Sequence, residues 1–160
     1  MDKVAVFPGS FDPFTVGHES IVKRSLTMFD KVIIAIGQNS SKNCFFSLEA
    51  RRKMIEKVFE AYPQVTVDLY DGLTVEYCKK NNSQFLLRGL RTAADFEYER
   101  AIGQINKMLE VGVETVFLLT APEHTPINST IVRDVIKHKG DVSSFIPSEI
   151  IIEEYLNDCK

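Results

Sequence analysis

Phe7-Pro8-Gly9-Ser10-Phe11-Asp12-Pro13-Phe14-Thr15-Val16-Gly17-His18 brings a hydroxyl, small residues and a histidine into one short stretch. Gly9, Ser10 and Gly17 let a ligand approach the backbone, and His18 adds a donor that can carry charge. A second hydroxyl pair, Ser129-Thr130, opens another helical pattern about 110 residues further on. Helix N-termini present unpaired N–H groups and partial positive charge, so both sites favour phosphate. Lys42, Arg88 and Arg91 lie between them in sequence as further cations. Taken alone, Lys42 reads as a solvated loop lysine. Arg133, one turn beyond Thr130, reads equally as a phosphate cation or as half of a surface ion pair. No Gly-Lys-Ser/Thr follows either turn and no GxGxxG is present, which excludes a Walker A loop and a dinucleotide fingerprint.

The elements that must position these residues are legible as alternating patterns. Val4–Phe7, Val32–Ile36, Val65–Leu69, Phe85–Leu87 and Thr115–Leu119 read as five strands. Helical patterns separate or follow them. Ile21 to Phe29 is one, and Ser47 caps a second that Pro63 ends. Thr74 to Lys80 is a third. The fourth runs from about Ala94 to Leu109, with Ile102, Ile105, Met108 and Leu109 as its buried stripe. The fifth runs from about Ser129 to His138, and Ser148 to Leu156 forms a last helix with Pro147 in its first turn. This alternation predicts a single-domain α/β protein spanning residues 1–160, a Rossmann-like, doubly wound, parallel five-stranded sheet with helices on both faces. Ligands of such sheets bind beyond the strands' C-terminal ends, where all the unusual residues fall.

Bulk properties set limits. A chain of 160 residues with 44% hydrophobic and 26% charged residues suits one soluble globular domain. The formal charge of -3 argues against a general nucleic-acid binder, although local cations can oppose the global sign. No run approaches the ~20 apolar residues of a membrane span, and no signal peptide is expected. Cys44, Cys78 and Cys159 are odd in number and outside any CxxC pattern, which points to a reducing, cytoplasmic setting.

Gly9-Ser10-Phe11-Asp12-Pro13 with Gly17-His18 resembles the HxGH signature of the nucleotidylyltransferase superfamily, with Thr15 at the first histidine position. Ile127-Asn128-Ser129-Thr130-Ile131-Val132-Arg133 is similar to its ISSTxxR signature, with Asn128 in place of a serine. Arg88-Gly89-Leu90-Arg91-Thr92-Ala93-Ala94-Asp95-Phe96-Glu97-Tyr98-Glu99 narrows the resemblance to the bacterial phosphopantetheine adenylyltransferases. Ser41-Lys42, Phe46-Ser47-Leu48-Glu49-Ala50-Arg51 and Gly140-Asp141-Val142 also resemble that family.

The resemblance implies transfer of an adenylyl group from ATP to 4'-phosphopantetheine, giving dephospho-coenzyme A and pyrophosphate in the penultimate step of coenzyme A synthesis. It implies catalysis by His18, Ser10, Lys42 and Arg91. Phosphopantetheine would be held by Ser10, Lys42, Thr74 and Arg88. ATP would be held by Ser10, Phe11, His18, Gly89, Leu90, Arg91, Glu99 and the run His124, Thr125, Pro126, Ile127, Asn128, Ser129 and Thr130. Mg2+ is expected with ATP, held mainly by phosphates and water. A homohexamer and feedback inhibition by coenzyme A are further family expectations. Other superfamily members, acting on nicotinamide mononucleotide or using CTP, are the nearest alternatives. A non-catalytic nucleotide-binding module is the alternative from another class.

Overall fold

The computed structural model describes residues 1–38 and 43–159. Five strands, β1 (Val4–Gly9), β2 (Lys31–Gly37), β3 (Val65–Tyr70), β4 (Phe85–Leu90) and β5 (Glu114–Leu119), form one parallel sheet in the order β3-β2-β1-β4-β5. Five α-helices connect or follow them: α1 (Val16–Ser25), α2 (Leu48–Val58), α3 (Thr74–Lys80), α4 (Ala93–Leu109) and α5 (Ser129–Lys137). The sheet, its parallel sense and the alternation are those the sequence predicts. Among the described residues, no helix is long and apolar enough to cross a membrane.

Successive strand residues face opposite sides of the sheet, and both sides are covered. Ala5 and Phe7 of β1, and Val32, Ile34 and Ile36 of β2, join Ile21 and Val22 of α1 in the larger core. Ala50, Met54, Ile55 and Val58 of α2 complete it, with Val132 of α5 and the C-terminal Ile152 and Tyr155. Val6, Ala35 and Leu86 face the other way, onto Tyr77 and Cys78 of α3.

The bounds of two elements shift, α1 covering Val16–Ser25 instead of Ile21 to Phe29 and β4 running to Leu90 instead of Leu87, and two expectations fail outright. No residue of α4 is buried: Ile105, Met108 and Leu109 are 55%, 79% and 57% exposed, and Ile102 is at the edge of exposure. Their helical spacing marks an apolar face correctly, but periodicity cannot tell which surface covers it. The expected helix Ser148–Leu156 is instead a turn, with Ile150 N–H bonded to the Pro147 carbonyl, followed by a 3-10 helix at Ile152–Asp158. Ile146, Ile150, Ile152 and Tyr155 all reach the core from this irregular path, so tertiary burial overrides local propensity there.

Candidate active site

The sheet opens along its central seam. β1 stays paired with β2 up to Gly9–Ile36, and β4 with β5 up to Leu90–Leu119. Between β1 and β4 only Ala5–Phe85 and Val6–Leu86 are paired. The two strands therefore part toward their C-terminal ends, at the point where the strand order reverses, and a crevice forms. Arg88 spans the gap with Nη1 donating to the Pro8 carbonyl at 2.8 Å. The result is an open cleft of about 820 Å³. A cavity of about 190 Å³ adjoins it and shares the walls Pro8, Gly9, Arg88 and Glu99.

The turn after β1 is tightly determined. Phe11 has φ of 48°, a left-handed conformation that costs a bulky residue roughly 1–3 kcal/mol. The surroundings enforce it. The buried Phe11 ring lies directly over Gly9, where an added Cβ would come within 2.8 Å of Phe11 Cζ. The peptide Asp12–Pro13 is cis. The Asp12 carboxylate is buried and accepts the N–H groups of Phe45 and Phe46 at 2.7 and 2.8 Å.

His18 is half-buried on α1, among the rings of Phe7, Phe11 and Phe14 at centroid distances of 6.2, 5.1 and 5.3 Å. Thr15 caps the helix and makes a capping box with His18. The Thr15 N–H donates to His18 Nδ1 at 3.1 Å. An accepting Nδ1 puts the proton of the neutral ring on Nε2, which leaves an N–H donor for the cleft that His18 lines. Burial, then the positive charges of Arg91 and Arg88, lower its pKa to about 4. The sequence suggests a donor that can carry charge; in the ligand-free protein at neutral pH it is a neutral donor.

Arg88 donates Nε to Glu99 Oε2 at 2.9 Å and Nη2 to Glu99 Oε1, a forked pair across β4 and α4. Glu99 offsets the charge of Arg88 while unused N–H groups of the guanidinium remain available. Arg91, on the rim, bonds Asp95 through both its backbone N–H and its Nε. On the opposite wall α5 begins. Asn128 is its N-cap, with Oδ1 accepting from Ile131 N–H at 2.9 Å. The departure from serine at this position keeps the capping function and adds an amide donor. Ser129 Oγ donates to the Pro13 carbonyl at 2.8 Å, so this hydroxyl ties α5 to the β1–α1 turn. Arg133 behaves similarly, with Nη1 on the Asp12 carbonyl at 2.6 Å and the Asp12 carboxylate 3.9 Å away.

Of the residues expected from the sequence, Ser10, Phe11, His18, Arg88, Gly89, Arg91, Glu99, Ile127, Asn128, Ser129 and Thr130 line the one cleft. Thr74 lines the adjoining cavity, its hydroxyl 2.9 Å from that of Tyr70. Leu90 is buried and does not line the cleft; neither do His124, Thr125 and Pro126, although His124 Cβ comes within 3.7 Å of a Cβ built at Gly17. Lys42 lies outside the described residues. The sequence reading missed Asp95, Tyr98, Ile102, Gly103 and Asn106, which extend the expected Glu99 into one face of α4 that lines both spaces. Its signal was the 3-4 spacing itself, continued past Glu99.

Arg88, Arg91 and the first turns of α1 and α5 meet around a crevice at the switch point of a parallel α/β sheet, an arrangement suited to an anionic ligand. Residues 6–135 match the cytidylyltransferase-like family model. The phosphopantetheine adenylyltransferase of Cytophaga hutchinsonii is 53% identical over 94% of this chain and all of its own length. That of Flavobacterium johnsoniae is 49% identical over 94% of this chain and 98% of its own. Among solved structures, a putative nicotinate-nucleotide adenylyltransferase from Vibrio parahaemolyticus shares the fold at 19% identity, with a TM-score of 0.64 over 93% of this chain and 96% of that one. The chain belongs to the phosphopantetheine adenylyltransferase family, within the cytidylyltransferase-like nucleotidyltransferases. It is an adenylyltransferase.

Proposed function

We propose that this chain transfers the adenylyl group of ATP to 4'-phosphopantetheine, releasing pyrophosphate and dephospho-coenzyme A. One observation carries the reading: a wide cleft lined by Arg88, Arg91 and the first residues of α5 adjoins, across the Arg88–Glu99 pair, a narrow cavity. A triphosphate and a second, elongated phosphate-bearing substrate can then meet at the shared wall. An oxygen of the acceptor phosphate attacks the α-phosphorus, and the bond from that phosphorus to the bridging oxygen breaks as pyrophosphate leaves. The nucleophile is already an anion, so no general base is required, and Glu97 and Glu99 take no acid/base role. Positioning and charge stabilisation supply the rate.

In this reading Nε2–H of His18 donates to the α-phosphate as negative charge builds on its oxygens. Ser10 hydrogen-bonds the reacting phosphates, and Arg91 with the first N–H groups of α5 receives the β- and γ-phosphates. Arg88 and Lys42 hold the acceptor phosphate. Thr74, Tyr70 and Asn106 offer polar groups to the amides of the pantetheine arm. Mg2+ would come with ATP, held mainly by phosphate and water oxygens, and would neutralise phosphate charge. A structure of the same fold from Francisella tularensis, 20% identical with a TM-score of 0.66 over 91% of this chain and 44% of that one, is described as complexed with AMP and an Mn ion. Further parts of the proposal are a cytoplasmic setting, coenzyme A as a product-like inhibitor of the same site, and a homohexamer in which other copies cover the exposed face of α4.

The test is pyrophosphate release from ATP with phosphopantetheine, compared with ATP plus nicotinamide mononucleotide and with CTP plus an alcohol phosphate. Only the first pair is expected to react. Turnover with either of the others alone would overturn the assignment. For His18→Ala, kcat is expected to fall by about 10²–10³ with little change in ATP affinity; wild-type turnover would remove His18 from the mechanism.

A further inference from the structure

The largest fully buried side chain among the described residues is an arginine, Arg51 of α2, with 0% exposure. It forms no ion pair among the described residues. Instead it faces carbonyls: Nε donates to Phe46 O at 3.2 Å and to Ser47 O at 3.4 Å, and Nη1 donates to Ser10 O at 2.6 Å. Nη2 has no hydrogen-bond partner among the described residues. An unpaired buried charge with an unused donor is costly, and such a group calls for a reason.

The reason lies on the far side of the Ser10–Phe11 peptide. That bond is trans, since the cis peptide is Asp12–Pro13. In a trans peptide the C=O and N–H point in opposite directions. The Ser10 carbonyl is drawn inward to the Arg51 guanidinium, so the Phe11 N–H is directed away from the core. Ser10 and Phe11 both line the cleft. The positive charge of Arg51 aligns this peptide dipole so that its positive end faces the site, as backbone N–H groups do in an anion-binding concavity. It also helps retain the left-handed φ of Phe11, without which the N–H would turn elsewhere.

We propose that Arg51 is a positioning residue of the phosphate site, which fixes the Ser10–Phe11 peptide with its carbonyl inward and presents the Phe11 N–H to a phosphate of ATP. The inference rests on the adenylyl-transfer reading for the identity of the ligand, but it concerns ATP binding and not turnover. The acceptor assay above can therefore fail while this proposal holds, and the reverse.

Two changes test it, alone and together. Replacing Phe11 by its α-hydroxy analogue turns the N–H into an ester oxygen and leaves the ring in place. Arg51→Lys shortens the fork and releases the Ser10 carbonyl. Each should raise the ATP dissociation constant by about 10- to 100-fold, the worth of one hydrogen bond to a charged acceptor, in protein whose thermal melt still shows a folded state. Made together they should lose little more than either alone, because both act through one N–H. Where Arg51→Lys does not fold, Arg51→Gln, which keeps a neutral donor, takes its place in the same cycle. An ester variant that binds ATP as the wild type does, or losses that simply add, would overturn the proposal.

Discussion

The two faces of the sheet are built differently. On one, α1, α2 and α5 seal Ala5, Phe7, Val32, Ile34 and Ile36 under a thick apolar layer that includes the C-terminal segment. On the other, the packed cluster among the described residues is Val6, Ala35, Tyr77, Cys78, Leu86 and Val113, and α4, with 17 residues, adds none. The active cleft lies at the seam between them. His18, the donor proposed for the α-phosphate, comes from the thick side on α1, and the forked Arg88–Glu99 pair comes from the thin side. A group that must be held to a fraction of an ångström needs close-packed neighbours. A wall that admits an elongated substrate needs surface left uncovered.

The largest test of this contrast sets one residue type against itself. Met54 on α2 is fully buried, whereas Met108 on α4 is 79% exposed. Met54→Ala should destabilise the fold by about 2–5 kcal/mol, through lost burial and the cavity left behind. Met108→Ala should lie within about 0.5 kcal/mol for the isolated chain. Urea unfolding of both variants at low protein concentration measures the difference, and equal losses would mean that the two faces are packed alike.

The second test acts on the thick side at the cleft itself. Gly9→Ala places a Cβ 2.8 Å from Phe11 Cζ, inside van der Waals contact, and the ring is buried and hemmed in by Phe7 and Phe14. The expected cost is about 1–3 kcal/mol in stability from overpacking, with a larger proportional loss of activity because the Ser10–Phe11 turn must shift. Stability and kcat measured on the same preparation separate the two effects. Unchanged activity would show that the turn is less rigid than its packing implies.

The third test uses protons. His18 is kept neutral by burial and by Arg91 and Arg88, with a pKa of about 4 against an ordinary 6.5. A lowered folded-state value means that the unfolded chain takes up the proton first as the pH falls. The stability gained by keeping His18 neutral is thus complete above 6.5 and is lost as the pH falls toward 4. Acid should lower the Tm of the wild type more than that of His18→Gln over this window. Imidazole NMR should show the ligand-free ring titrating near 4, with the value rising when ATP brings negative charge beside it. A ring that titrates at 6.5 in the ligand-free protein would remove the packed cage from the account.

How far the sequence reached follows the same division. The strands were legible because β-branched and apolar runs buried on both faces leave a continuous signal, as Val32–Ile36 does. The candidate site was legible where a motif carried it: Gly17-His18, several residues of the stretch Arg88 to Glu99, and Asn128-Ser129-Thr130 line one cleft. Three things were not. β4 runs on through Arg88-Gly89-Leu90, since pairing with Phe117, Leu118 and Leu119 overrides a local Gly and two charged neighbours. The irregular path from Val142 to Tyr155 is set by what it buries, not by its own propensity. The burial of Arg51 is the third: the sequence places it only within the run Phe46 to Arg51 that resembles the family, and its charge gives no sign that a core closes over it.

The smallest expected effect on the isolated chain is also the most discriminating for α4. One stripe of this helix, Tyr98, Glu99, Ile102 and Asn106, faces the cleft and its side cavity, while Ile105, Met108 and Leu109 stand open, with Val111 just beyond the helix 75% exposed. An exposed apolar stripe of this kind marks contact with another protein surface. If copies of this chain supply that cover, Ile105→Gln with Met108→Gln should leave the monomer's stability within about 0.5 kcal/mol while shifting the sedimenting mass from an assembly to a single chain. Activity should fall as well, since α4 carries Glu99 and the partner would help to fix its position against β4. A single-chain mass for the wild type, or an unchanged assembly in the double variant, would sink the idea. The thin face would then have to be explained by the substrate alone.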